Sequence, residues 1–143
     1  MADGQPEATP DDIAYLLQET TTWAVVGCSP EPWRDSHRIA ELLQRNGFRI
    51  IPVNPAVESV LGETCYPSLA DIPSSAGVEV VDVFRRSEFA GAVADEAVAC
   101  GAVGVWMQLG VVDTAAAERA RAAGLRVVMN RCPAVELPRL AAR

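Results

Sequence analysis

Short apolar runs alternate with amphipathic segments along most of this chain, and this alternation limits the folds that it can adopt. The apolar runs occupy residues 23–26, 48–53, 78–84, 103–107 and 126–129. They are apolar throughout, which is typical of strands that are buried on both faces of a sheet. Strands of this kind, separated by helices, predict a parallel sheet built from crossover units. We therefore expect an α/β fold with a doubly wound, mainly parallel sheet of the Rossmann-like type.

The segments between the apolar runs have helical spacing and end at glycines. Residues 36–46 are predicted to form a helix that ends at Gly47. A shorter helix over residues 11–17 is expected to be capped by Asp11 or Asp12. Two further helices are predicted at 87–101, with Phe89, Val93, Ala97 and Cys100 in register on one face, and at 113–124, capped by Asp113 or Thr114.

The chain has 143 residues, half of them apolar, which fits a single domain with a sizeable core. We expect residues 1–10 to be a flexible segment and residues 11–143 to form that domain. Between the second and third long runs, the pattern predicts a turn or short helix near 57–61 and an edge strand at 64–66. No apolar run approaches the roughly 18 residues of a membrane-spanning helix, and the first residues show no secretory signal.

The charge pattern narrows the possible partners. The net charge is −7, so neither nucleic acid nor an anionic membrane surface is an expected partner. The sequence contains no lysine, which excludes a Walker lysine, a Schiff base and a lysine general base. A bound anion would have to be held by arginine, hydroxyl or backbone N–H groups. The cysteines and the single histidine lack the spacing of a zinc site, so we expect no metal, reduced thiols and a cytoplasmic protein.

Ligands of open parallel sheets bind beyond the carboxyl ends of the strands, where the strand order reverses. The first such loop follows residues 23–26 and begins at Gly27, which permits a sharp turn. Ser29 in this loop can donate to a phosphate, and Asp35 or Ser36 can cap the next helix, whose free N–H groups attract anions. The loop lacks the other glycines of the dinucleotide fingerprint, and Asn54 stands where an acidic residue would hold a ribose. Ordinary NAD binding is therefore disfavoured.

Several arginines follow predicted strands and would gather at this same edge of the sheet. A polyphosphate ligand explains such a cluster on an acidic protein, since each charge-assisted contact contributes roughly 1.5–3 kcal/mol. The alternative is that Arg85 or Arg131 makes an ion pair with Asp82, Glu88 or Glu136. The arginines concerned are Arg34, Arg38, Arg85, Arg86 and Arg131.

Motifs at the carboxyl ends of the predicted strands, taken together and in order, resemble the small, stand-alone coenzyme A-binding domain proteins. The matching stretches are 24–29 with Arg34 and Ser36, 51–55, 81–85, 105–111, 129–133 and 136–139. This family is similar to the nucleotide-binding domain of the succinyl-CoA synthetase α chain. The resemblance covers about residues 23–140 and implies a Rossmann-like sheet that holds coenzyme A across the switch point.

The resemblance also implies roles for individual residues. The residues implied to contact the diphosphate are Gly27, Cys28 and Ser29, and those beside adenine or ribose are Val53, Asn54 and Pro55. Phe84 and Arg85 are implied to border the nucleotide, with Arg85 on a phosphate. Gln108 and Gly110 are implied to lie below the pantetheine arm, and Arg34 and Arg38 near the 3′-phosphate. Relatives often have Asp where Asn130 stands here. The synthetase's phosphohistidine lies in a domain that this chain lacks, and His37 is a poor substitute for it.

Three hypotheses of function follow. The favoured one is a module that binds coenzyme A or an acyl-CoA without catalysis of its own, because the sequence shows no nucleophile–base pair. The second is an enzyme or part of one, either an NAD(P)-linked oxidoreductase or an accessory subunit of an acyl-CoA ligase. The third is a redox role for Cys28, whose thiol pKa a helix N-terminus would lower. The sequence leaves the acyl group, the pathway, the protein partner and the oligomeric state open.

Overall fold

The computed structural model describes residues 7–142, which form seven strands and five α-helices. The strands are β1 (Thr22–Val26), β2 (Arg49–Val53), β3 (Ser59–Val60), β4 (Glu63–Thr64), β5 (Val80–Val83), β6 (Gly104–Met107) and β7 (Arg126–Val128). The helices are α1 (Pro10–Gln18), α2 (Asp35–Arg45), α3 (Ser87–Ala99), α4 (Thr114–Ala122) and α5 (Pro133–Ala141).

Five strands form one parallel sheet in the order β2-β1-β5-β6-β7. The chain first moves from β1 to β2 on one side and then continues through β5, β6 and β7 on the other. The strand order therefore reverses between β1 and β5, and this is the switch point at which ligands of such sheets bind. The doubly wound, parallel α/β fold predicted from the sequence is confirmed.

Each face of the sheet is covered by its own set of helices, which explains why the strands are apolar throughout. On one face, alanine-rich stripes of α3 and α4 pack against alternate strand residues such as Ala24 and Val81. On the other face, α1, α2 and α5 cover Trp23, Val25 and Trp106. The rings of Trp23 and Trp106 lie 5.6 Å apart at the centre of this second core.

Some local predictions were wrong. Helix α1 is capped by Thr9, whose Oγ1 accepts from the Asp12 N–H at 3.0 Å, because Asp11 and Asp12 lie inside the helix and pair with Arg126 instead. Phe89 in α3 and Cys100, which follows the helix, are exposed. The buried stripe of α3 consists of Ala90, Val93, Ala94 and Ala97. Asp113 does cap α4, as predicted, by accepting from the Ala116 N–H at 3.0 Å.

Two further regions differ from the sequence analysis. The sequence predicts a turn or short helix near 57–61, but β3 and β4 form an antiparallel pair there. Of the edge strand predicted at 64–66, Tyr66 makes a parallel bridge to Val53. Helix α5 was not predicted, since Pro138 lies inside it and proline normally interrupts a helix.

Residues 1–6 of the segment predicted to be flexible lie outside the described residues. Within residues 7–10, the Glu7 carbonyl accepts from the Met129 N–H at 2.7 Å.

Candidate functional site

Backbone hydrogen bonds hold the carboxyl ends of β2, β1 and β5 together at the switch point. The N–H of Gly27 donates to the Val53 carbonyl at 2.9 Å, and the N–H of Phe84 donates to the Val26 carbonyl at 2.9 Å. Gly27 has a φ of +88°, and a β-carbon there would lie 2.5 Å from the carbonyl oxygen of Phe84. Glycine is therefore required at position 27, because any other side chain would separate the two loops that flank the crevice.

A polar cavity of about 660 Å³ opens on the β1 side of the switch point. It lies at the amino-terminal end of α2, whose first residue follows Arg34 with no side chain capping the helix. The prediction that Asp35 or Ser36 caps this helix was wrong, because Ser36 Oγ accepts from the N–H of Ser29 at 2.9 Å. Uncapped amides at a helix start are a favourable environment for an anion. The lining residues are Gly27, Ser29, Trp33, Arg34, Asp35, Ser36, Arg38, Asn54 and Phe84.

A second, more apolar cavity of about 550 Å³ lies between the ends of β5 and β6. It shares Asp35, Arg38 and Phe84 with the polar cavity, so the two form one continuous groove across the switch point. A ligand with a charged part and an uncharged part could occupy both. The lining residues are Asp35, Arg38, Ile39, Phe84, Arg85, Arg86, Gln108, Leu109, Gly110, Val111 and Cys132.

Four of the five predicted arginines lie along this groove. Arg34 makes an exposed ion pair with Glu31 at 3.6 Å, and Arg38 makes one with Asp35 at 2.5 Å. Such exposed pairs contribute about 0–1 kcal/mol, so an arriving phosphate can compete for the guanidinium groups. Arg86 likewise pairs with Glu88, at 3.6 Å.

Arg85 and Arg131 differ in what they contact. Arg85 lies over the ring of Phe89 at 4.7 Å, and no ion pair to Arg85 is found within residues 7–142. Arg131 does not line the groove, because its guanidinium pairs with Glu7 at 3.2 Å. Neither arginine pairs with the acidic residues that the sequence offered as alternatives.

Most of the residues predicted for the site line one or both cavities, namely Gly27, Ser29, Arg34, Arg38, Asn54, Phe84, Arg85, Gln108 and Gly110. The other three do not. Cys28 and Val53 are buried and contribute backbone contacts, since the Cys28 carbonyl accepts from Asn54 Nδ2 at 3.0 Å. Pro55 is exposed and lies outside both cavities.

The environment of Cys28 is the reverse of what the redox hypothesis requires. Its side chain is fully buried, and burial raises the pKa of the thiol to about 12, with smaller contributions from Cys65 and Asp82. The expected lowering by a helix N-terminus was wrong, because loss of solvent dominates at this position. Cys28 is therefore a neutral thiol at physiological pH.

This difference in burial predicts the order in which the thiols react. Under native conditions, iodoacetamide should modify the exposed Cys100 first, and Cys28 only after the chain is unfolded in urea. Peptide mass spectrometry at successive times measures both rates. Modification of Cys28 at the rate of Cys100 in the folded protein would contradict the burial described here.

Three residues with roles at the groove were not identified from the sequence. Trp33 is 67% exposed and lines the polar cavity, but its place in a loop directly after Pro32 gave no periodicity from which exposure could be predicted. Asn130 has a φ of +60°, and its Oδ1 accepts from the Gly110 N–H at 2.7 Å, which shapes the loop after β6. Asp82 is buried in β5 and contacts Gln108. A carboxyl in the middle of an apolar run was the signal available for Asp82.

Two absences concern only the described part of the chain, residues 7–142. That part contains no group of three or more His, Cys, Asp or Glu residues placed to hold a metal ion. It also contains no helix with the length and apolar character needed to cross a membrane.

Comparison with known proteins identifies close relatives over nearly the whole chain. The sequence model of a family described as "CoA binding domain" matches residues 21–138. A Bacillus subtilis (strain 168) protein, "Uncharacterized protein YneT", is 37% identical over 121 residues, which cover 85% of this chain and 88% of that protein. The solved structure of a "hypothetical protein from Pyrococcus horikoshii OT3" is 38% identical, with a TM-score of 0.87 and 99% of each chain covered.

A shorter similarity links the chain to part of a much larger enzyme. An ADP-forming acetate–CoA ligase II of Archaeoglobus fulgidus is 37% identical over 62 residues. These residues are 42% of this chain and only 9% of the ligase. The similarity therefore concerns one region of that enzyme and not its whole length.

Proposed function

We propose that this chain, which belongs to the CoA binding domain family, binds coenzyme A or an acyl-CoA in the groove at the switch point, without catalysis of its own. The observation that carries the proposal is the groove itself. Its polar half combines an uncapped helix start with exposed arginines, and it continues into a more apolar half of similar size. Coenzyme A has the same division, with several phosphates at one end and an uncharged pantetheine arm at the other.

The polar cavity supplies the groups that phosphates require. Gly27 and Ser29 lie where the backbone can approach a diphosphate closely, and the Ser29 hydroxyl keeps its proton free to donate while its oxygen accepts from the Glu31 N–H at 3.1 Å. Arg34 and Arg38 also line this cavity and would contact the 3′-phosphate. Arg85 would contact a phosphate where the two cavities meet.

The residues after β2 would lie beside the adenosine. Asn54 is held in place by two hydrogen bonds, from its Nδ2 to the Cys28 carbonyl and from the Ala56 N–H to its Oδ1 at 2.9 Å. Both polar atoms of the Asn54 side chain are thus engaged within the protein. Asn54 together with Val53 and Pro55 would therefore provide shape and contact surface beside the adenine or ribose.

The apolar cavity fits the pantetheine arm, whose amides and methylene groups carry no charge. Gln108 and Gly110 would lie below this arm, and the exposed Leu109 would flank it. An acyl group on the sulfur would extend along the same surface.

The enzyme hypotheses receive less support from the site. Cys28 is a neutral buried thiol, and the nearly buried His37 lines neither cavity, which leaves it without access to a ligand in the groove. An NAD(P)-linked oxidoreductase or an accessory subunit of an acyl-CoA ligase remains the alternative function. A cytoplasmic location and the absence of nucleic-acid and membrane partners stay predictions from the sequence.

Titration calorimetry with coenzyme A tests the proposal. Arg38→Gln should weaken coenzyme A binding by about tenfold at constant salt, because a charge-assisted contact to phosphate is lost. Arg45→Gln is the matched control, since Arg45 is exposed at the opposite end of the same helix and should leave the affinity within about twofold. Saturable binding of NADH with no binding of coenzyme A would favour the oxidoreductase, and equal losses in both variants would contradict the site.

A further inference from the structure

Asp82 is a carboxyl group enclosed in the middle of the sheet. It lies in β5 between Val25 of β1 and Trp106 of β6, and its side chain is fully buried. Its Oδ1 accepts a short hydrogen bond from Nε2 of Gln108, whereas Oδ2 has no hydrogen-bond partner within the described residues. An apolar residue would avoid the cost of burying such a group. The contact with Gln108 is the feature that an apolar residue could not provide.

Gln108 connects this buried carboxyl to the groove. Its backbone is fixed, because its carbonyl accepts from the Val111 N–H at 2.8 Å and its own N–H faces the Val83 carbonyl at 3.4 Å. Its side chain is 4% exposed and lines the apolar cavity. With Nε2 engaged by Asp82, the remaining polar atom of the amide is Oε1, for which the described residues offer no donor.

We propose that Asp82 is a positioning residue that orients the Gln108 amide, so that Oε1 accepts a hydrogen bond from an amide N–H of the pantetheine arm. This inference rests on the proposed function, since it assumes a ligand with such an arm in the apolar cavity. Without Asp82, the amide of Gln108 could rotate and present either its donor or its acceptor. In the observed contact Oδ1 accepts from Nε2, which leaves Oε1 as the acceptor and so favours ligands that carry an N–H at this point.

The electrostatics of the site are consistent with this role. Burial raises the pKa of Asp82 to about 8, while the hydrogen bond from Gln108 opposes part of that rise. Cys28 is the titratable neighbour within residues 7–142 whose pKa is raised in part by Asp82. Its thiol is neutral, so it places no charge beside the Asp82 carboxyl. At pH 7 Asp82 is therefore mainly uncharged, and the observed contact requires its proton to be on Oδ2, so that Oδ1 still accepts from Gln108. Asparagine is its closest substitute because the amide oxygen can accept from Gln108 in the same way.

The experiment compares two ligands by calorimetry at pH 7. Coenzyme A has the pantetheine arm, and adenosine 3′,5′-bisphosphate lacks it. Asp82→Val and Gln108→Leu should each weaken coenzyme A binding by about fivefold to tenfold, which corresponds to one hydrogen bond, and should change bisphosphate binding by less than about twofold. Asp82→Asn should restore most of the affinity that Asp82→Val loses. The double variant Asp82→Val/Gln108→Leu should be no weaker than either single variant.

Other outcomes would overturn the proposal in recognisable ways. Equal losses for both ligands would mean that Asp82 only supports the fold, and a failure of Asp82→Asn to restore affinity would exclude orientation through Oδ1. If Asp82→Val does not fold, Gln108→Leu, at the end of β6, decides the question with the same two ligands. Wild-type protein that does not bind coenzyme A would refute the proposed function, whereas binding that Gln108→Leu leaves unchanged would refute only the positioning role.

Discussion

Replacing Gly27 by alanine is expected to lower the free energy of unfolding by about 3 kcal/mol or more. Two costs combine at this position. A non-glycine residue at a φ of +88° loses roughly 1–2 kcal/mol. In addition, the new β-carbon would lie 2.5 Å from the carbonyl oxygen of Phe84, which belongs to the backbone and cannot rotate away. The carboxyl ends of β1 and β5 would have to separate, and we expect coenzyme A binding to be lost with them.

Gly47 provides a matched control for this variant. Its φ is +89°, nearly the same as that of Gly27, but a β-carbon there would meet no atom within 4 Å. Gly47→Ala should therefore lose only the cost of the positive φ, roughly 1–2 kcal/mol. Urea unfolding of the three proteins gives both differences. Equal losses at the two positions would show that the contact with Phe84 does not determine the conformation of the switch point.

Asp82→Asn is expected to stabilise the fold increasingly as the pH rises. The folded protein holds the proton of Asp82 up to a pKa of about 8, whereas the usual value is 3.8. A group with a raised pKa contributes stability at low pH that is lost as the pH rises through the folded pKa, because the folded state binds more protons than the unfolded state. Asparagine has no such dependence. The difference between variant and wild type should therefore grow from pH 5 to pH 9, by on the order of 4 kcal/mol.

Chemical unfolding at a series of pH values measures this difference directly. Comparing the variant with wild type at each pH removes the contributions of all other titrating groups, which both proteins share. The curves should diverge between pH 5 and pH 8 and run parallel above pH 9. Parallel curves over the whole range would mean that Asp82 is ionised in the fold at neutral pH, and the argument for an uncharged carboxyl beside Gln108 would fail.

The sequence was informative wherever a signal repeats along the chain. The apolar runs predicted the strands of the main sheet, because residues buried on both faces of a sheet have no polar alternation. The parallel arrangement then placed Gly27, Asn54, Arg85 and Gln108 at one edge of the sheet by topology alone. Their convergence on one groove required no knowledge of side-chain geometry.

Features that depend on tertiary contacts could not be predicted in this way. Helix α5 contains Pro138, and its packing against α1 and α2 outweighs a residue that disfavours helix. The raised pKa of Cys28 follows from burial, which the position of the residue before a helix does not reveal. The hydrogen bond between Asp82 and Gln108 joins a residue of β5 to the residue that follows β6, and only the strand order brings them together.

The hydrogen bonds of Asn130 have a practical consequence for binding measurements. Asn130 Oδ1 holds the Gly110 N–H at the base of the groove, and its Nδ2 lies 3.5 Å from the Glu7 carboxylate. The Glu7 carbonyl also receives the Met129 N–H. Glu7 is thus connected through Asn130 to the loop after β6 that lines the groove. Affinities of different variants are comparable only when all of them keep Glu7.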